Sequence, residues 1–318
     1  MKPRLHSSKS GKEAAQIMTS VPSTVRPRFF NGEVGLGLVF AIPIIVIMGG
    51  LVFMPLVTTF IDSLYRIEPM RAGTPFVGLG NYAALATDTN VRLAWINTLI
   101  YVVIAVVLET VGGLGAALLL NRIKFGRRWL LAALILPWCL PPVVNAVVWL
   151  WIYNPSYGLL NGILQSFGII SENKVWFNDR ATALFLVSLV HVWRMMPLTA
   201  IILLAALQNI PADLYEAAKL DGAGALKSFR LITLPLISGG LAIALSQSTV
   251  FAFNLFDEAW ILTGSSLDTR TVIVQVYMSA FQNLKFSFGM ALSILAMIAS
   301  LAVSLIYVLR VYRETRFD

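Results

Sequence analysis

Six apolar stretches, set apart by polar ones, run from residue 35 almost to the end of the chain. They cover roughly 35–63, 95–120, 129–152, 181–208, 232–260 and 287–311. At about 1.5 Å per residue, each is long enough to cross a hydrocarbon layer about 30 Å thick as a helix. Helices satisfy their own backbone polar groups in lipid, and a lone chain of such runs cannot close a barrel. The pattern predicts an all-α polytopic membrane protein, with six transmembrane helices in one domain over residues 35–311.

The segments between the stretches differ in charge. With residues 1–34 placed in the cytoplasm, sixteen lysines and arginines fall inside and seven outside. A cytoplasmic excess of this kind predicts that both termini lie inside. Residues 1–34 read as a basic cytoplasmic tail without the short apolar core of a signal peptide, and 312–318 as a second tail. The outer segment 154–173 carries Leu159, Leu160, Ile163, Leu164 and Phe167 at helical spacing, which predicts a short helix on the membrane surface. Small residues in the second stretch (Gly112, Gly113, Gly115, Ala116, Ala117) predict close helix packing. Prolines at 43, 55, 137, 141, 142 and 197 predict bends.

Composition agrees and narrows the function. Hydrophobic residues make up 58% of the chain and charged residues 13%. The net charge of +8 is spread beside the spans instead of forming one stripe, which argues against a nucleic-acid partner. One cysteine, Cys139, and two histidines, His6 and His191, leave no basis for an internal disulfide or a metal cluster.

The inside segment 209–231 is longer than a connector requires. Pro211 and Asp213 suit the start of a helix, Asp221-Gly222 and Gly224 break it, and a second helix is expected from Ala225. Ala217 and Ala218 make one side thin, with Glu216 beside them, which suits a docked partner.

The run Glu216-Ala217-Ala218, three residues, Gly222, nine residues, then Ile232-Thr233-Leu234-Pro235 resembles the EAA motif of bacterial ABC importer permeases. "LQNIPADLY" (207–215), "FAFNLFDEAWILTGSS" (251–266) and "GLGNYAAL" (78–85) resemble the carbohydrate-type branch, that of maltose and glycerol-phosphate permeases. Ser265 stands where that branch usually has a glycine. The resemblance covers residues 35–311. It implies a type I importer (MetI-like) bundle in the bacterial inner membrane, with the inside loop as the coupling helix. It further implies a second permease subunit, an ATPase dimer that binds ATP and Mg, and a periplasmic or lipid-anchored solute-binding protein. Glu216, Ala217, Ala218, Asp221 and Gly222 become the ATPase-coupling residues. No cofactor is expected in this chain itself, and "GAGALKS" (222–228) lacks the glycine that a phosphate-binding loop needs before its lysine.

Polar groups inside spans are costly and therefore candidates for function. His191, Arg194 and Leu198 share one helical face in the fourth stretch, and Asn254, Asp257 and Glu258 lie near one face in the fifth. Two readings stand. These groups line a path for a polyhydroxylated solute, with Trp193 or Phe253 stacking on a sugar ring, or Arg194 pairs internally with Asp257 or Glu258. The resemblance places the family's sugar site near His191, Arg194, Met195, Leu198, Phe253 and Asn254. The function expected is import of a sugar or sugar derivative. The alternative is an anionic solute such as a glycerol phosphodiester or a sulfonated sugar. A secondary transporter driven by an ion gradient, using Asp257 and Glu258, is a further alternative. No motif of a membrane enzyme is evident.

Overall fold

The computed structural model describes residues 32–314, with side chains from 36 to 310. Most of the two expected tails therefore lies outside the described residues. By internal contacts the chain forms two units, Met1–Leu56 and Val57–Asp318.

In the first unit, helix α1 (Gly32–Met48) runs into a π-turn at Gly49–Phe53; α2 (Met54–Asp62) begins in this unit and ends in the second. The first unit's large apolar side chains from Leu38 to Met54 are all exposed. A helix apolar on every side suits hydrocarbon surroundings. Pro55 follows the π-turn by two residues, where a proline ring would otherwise clash with the carbonyl one turn back.

The second unit is a helical bundle. Its elements are α3 (Gly80–Thr87), α4 (Thr89–Arg122), α5 (Arg127–Cys139), α6 (Pro142–Ile152), α7 (Leu159–Ser166) and α8 (Arg180–Gln208). Then come α9 (Ala212–Leu220), α10 (Ala225–Ser228), a π-turn at Phe229–Thr233, α11 (Leu234–Leu236) and α12 (Ser238–Phe253). The bundle closes with α13 (Asp257–Thr263), α14 (Val272–Tyr277) with a π-turn at Met278–Gln282, and α15 (Phe286–Glu314). The helix expected within 154–173 is α7. At the head of α8, Asp179 accepts from Thr182 N and Thr182 Oγ1, both at 2.8 Å, and these donors hold its carboxyl below the ordinary range.

Among the described residues, four helices are long and apolar enough to cross a membrane, or six if each bent pair counts as one span. The six apolar stretches are all helical, but two of them are not single rods. The third stretch bends by 94° between α5 and α6. Leu140 and Pro141 each precede a proline, which disfavours helical dihedrals, and both are extended, with ψ 135° and 138°. The fifth stretch bends by 70° at buried Ile237. It also ends sooner than 260: α12 stops at Phe253, the Asn254 side chain turns back to the Val250 carbonyl at 2.8 Å, and α13 is a separate helix.

Helices α4 and α8 form the most extensive pair in the bundle. The small-residue stretch of α4 explains how closely they approach. A Cβ added at Gly113 would meet Thr199 Cγ2 at 2.8 Å and the Ala200 backbone nitrogen at 3.1 Å. Gly115, by contrast, faces open space. Gly113→Val should therefore overpack this contact and cost about 1–3 kcal/mol. Thermal unfolding of the purified protein checks this, with Gly115→Val as the control expected to change little.

Candidate functional site

Near the middle of the α4 apolar run lies Glu109, which is fully buried. Its Oε2 accepts from Ser248 Oγ of α12 at 2.6 Å, and its Oε1 is 3.5 Å from His191 Nε2 of α8. The other face of the same imidazole meets α13, with His191 Nδ1 3.6 Å from Glu258 Oε1. One turn further along α8, Arg194 Nε donates to that same Glu258 oxygen at 3.0 Å. The four side chains make one chain, carboxylate–imidazole–carboxylate–guanidinium, across α4, α8 and α13, and the Ser248 hydroxyl adds α12 as a fourth element. Glu258 and His191 are 1% exposed as residues, so water screens the cluster little.

The α13 helix is held in place from α4. Asn97 donates to the Leu267 and Arg270 carbonyls at 3.0 and 3.1 Å, and Tyr101 donates to the Thr269 carbonyl at 3.0 Å. Thr98 Oγ1 accepts from Val272 N at 2.8 Å. Arg180 at the head of α8 reaches Asn97 Oδ1 at 2.8 Å. These bonds fix the loop after α13 and so the placement of Glu258.

The second feature lies between α8 and α12. Helix α9 ends in a Schellman turn: Gly222 N donates to the Lys219 carbonyl at 3.1 Å and Ala223 N to the Ala218 carbonyl at 2.8 Å. Gly222 has φ +74°, the left-handed region that a Cβ penalises. Tyr215 and Ala218 turn partly inward, and the Tyr215 hydroxyl meets buried Thr233 Oγ1 at 2.9 Å. Asp213, Glu216, Ala217 and Leu220 face outward, with Leu220 89% exposed. Glu216 makes no ion pair among the described residues. An outward carboxylate, a small residue and a bare leucine on one face have the chemistry of a contact surface.

Residues 109–316 match the family of binding-protein-dependent transport system inner membrane components. The chain belongs to that family. It is 35% identical to the trehalose/maltose transport system permease protein MalF of Thermococcus litoralis, over 86% of this chain and 93% of that one. It is 30% identical to the sulfoquinovosyl glycerol transport system permease protein SmoG of Agrobacterium fabrum, over 89% and 92%. Its fold is that of a bacterial ABC transporter for import of the acidic polysaccharide alginate, with TM-score 0.76, 19% identity, and coverage of 89% of this chain and 96% of that one. The expected family and helical permease fold are thus found, and this inner-membrane component is a transport subunit.

Within this permease the candidate path residues do not share one surface. His191 and Arg194 belong to the buried cluster, and Met195 is fully buried behind them. Of the two carboxylates considered for Arg194, the partner is Glu258; Asp257 is only half-buried beside it. Leu198 is half-buried on α8. Phe253 and Asn254 instead line a groove of about 260 Å³ against α15, with Ser293, Met297 and Ser300. Sequence reasoning missed Glu109. Its signal was present, a lone acid inside "VVIAVVLETVGGLG" (102–115), of the kind that marked His191 and Arg194. Arg194→Met should strand Glu258 without its strongest partner and cost about 3–5 kcal/mol. Adding Glu258→Gln should restore most of that loss, as measured by thermal unfolding of both variants in nanodiscs.

Proposed function

We propose that this permease forms half of the translocation path of an ATP-driven importer of a sugar or sugar derivative, and that α9 is its coupling helix. The outward face of α9 carries this reading: Glu216, Ala217 and Leu220 stand exposed beyond the bundle, on a helix closed by the turn at Gly222. Glu216 offers a charge to a basic group of a separate ATPase. Ala217 permits close approach, Asp221 and Gly222 set the turn, and Ala218 packs back toward the bundle. The partners are then a second permease subunit, an ATPase dimer holding ATP and Mg, and a solute-binding protein outside. This permease needs no cofactor of its own. Both termini lie in the cytoplasm, because that topology puts α9 on the ATPase side.

The sugar assignment draws on the names of the relatives, trehalose/maltose and sulfoquinovosyl glycerol permeases. The geometry favours a neutral solute over an anionic one, because the one cation of the fourth span, Arg194, is already compensated by Glu258 at 3.0 Å. His191, Arg194, Glu109 and Glu258 compensate one another inside the bundle, whereas exposed Asn254 on the groove that Phe253 also lines, half-buried Asp257 close after it in sequence and half-buried Leu198 on α8 are the candidate path residues left for solute.

Glu216→Lys should leave the permease inserted and assembled while uptake falls at least tenfold and ATP hydrolysis no longer responds to solute. Uptake and hydrolysis measured on the same proteoliposomes check this. Normal uptake by the variant would remove Glu216 from the coupling role.

A further inference from the structure

The buried cluster holds more than a salt bridge. With both carboxylates ionised, Arg194 charged and His191 neutral, the group carries one uncompensated negative charge in the interior. One added proton brings it to zero. Among the described residues, no other charged side chain pairs with the cluster to supply the difference. Helix α4 contributes Glu109 alone, α12 contributes the neutral Ser248, and α13 contributes Glu258 with half-buried Asp257, itself acidic. Helix α6 and the α15 segment 286–309 contain no charged residue, and α14 brings only Gln275 and Tyr277, the latter packed on Phe256 and Trp260.

Geometry shows where the proton goes. Glu109 Oε1, His191 Nε2 and His191 Nδ1 are all buried, and none has a hydrogen-bond partner among the described residues. They lie along one line of short separations, 3.5 Å to Glu109 and 3.6 Å to Glu258. A buried donor or acceptor left unmade costs about 1–3 kcal/mol, and a proton between these groups satisfies several at once. Four elements meet at this point, so any rearrangement that moves α4 against α8, or α13 against either, changes the burial and the proton affinity together. Binding equilibria linked in this way are reciprocal.

We propose that Glu109, His191, Glu258 and Arg194 form a proton-binding site whose occupancy is tied to the alternation of the bundle between its two states. The linkage to alternation rests on the importer reading above; the site itself rests on the cluster. It is a different arrangement from an ion-driven transporter, because ATP remains the energy source and the proton shifts the balance between states.

The test uses the assembled importer in nanodiscs, in weakly buffered solution with a pH indicator, near neutral pH, on adding a non-hydrolysable ATP analogue. The wild type should bind or release close to one proton per complex more than Glu109→Gln, in which the cluster is neutral without the extra proton. The pH profile of solute-stimulated ATP hydrolysis should flatten in Glu109→Gln and shift in His191→Gln, whereas a merely structural role would lower activity equally at every pH. An unchanged pH profile in both variants, or an equal proton change in wild type and Glu109→Gln, would overturn the site. Hydrolysis measured with ATP in the same samples separates the two readings. Hydrolysis without a differential proton change overturns the proton site, and absence of any hydrolysis overturns the importer reading and the linkage with it.

Discussion

A charge among hydrocarbon side chains has no solvent to fall back on, so its counter-charge must come from the protein. In this bundle Glu109 and Glu258 are buried on different helices, and only His191 and Arg194, both on α8, stand between them. Much of the packing can be understood as what brings these groups into range. Gly113 lies one turn from Glu109 and admits Thr199 of α8 so closely that a Cβ would clash at 2.8 Å. Without that approach, the carboxylate and the imidazole on facing helices would not come within 3.5 Å.

The second carboxylate arrives by a different route. A straight helix through residues 232–260 would carry Glu258 about 15 Å along its axis beyond Ser248, away from the level of His191. The chain instead unwinds over Asn254–Phe256, and α13 starts afresh against α6 and α8. Unpaired backbone at membrane depth is tolerated only where protein supplies partners. Asn97, Thr98 and Tyr101 of α4 supply them, bonding the carbonyls of Leu267, Thr269 and Arg270 and the amide of Val272. The polar residues of α4 thus serve twice, at its start to hold the irregular loop and at its middle to meet the histidine.

The parts visible from sequence were those with a one-dimensional signature. Apolar length marked every span, and Asp221-Gly222 marked the turn that the left-handed φ of Gly222 makes. Prolines 141 and 142 announced a bend, but not that two successive pre-proline residues would open it to 94°. The choice between Asp257 and Glu258 could not be made from spacing, because the single face assumed for Asn254, Asp257 and Glu258 requires a continuous helix and the chain breaks at Asn254. That same break separates Phe253 and Asn254, which open onto a groove against α15, from the cluster on α8. Glu109 was hidden in another way: one acid hardly alters the apolar character of 95–120, and its importance appears only when its partners from two other helices, His191 and Ser248, are seen.

Coupling and core are joined by a short path. Only Asn209, Ile210 and Pro211 separate the end of α8 from the start of α9. The same α9 is tied by Tyr215 to Thr233, in the π-turn that precedes the bend at Ile237. On the reading that an ATPase moves α9, the displacement reaches the interior along two arms. One is α8, a single helix of 29 residues that carries His191 and Arg194. The other is the jointed segment leading into α12, which carries Ser248. A stiff arm and a jointed arm pulled from one point do not move alike, and their charged and polar groups meet at Glu109. The cluster therefore sits where the two displacements differ, which is where a paired charge, and a proton shared with it, responds most to the motion.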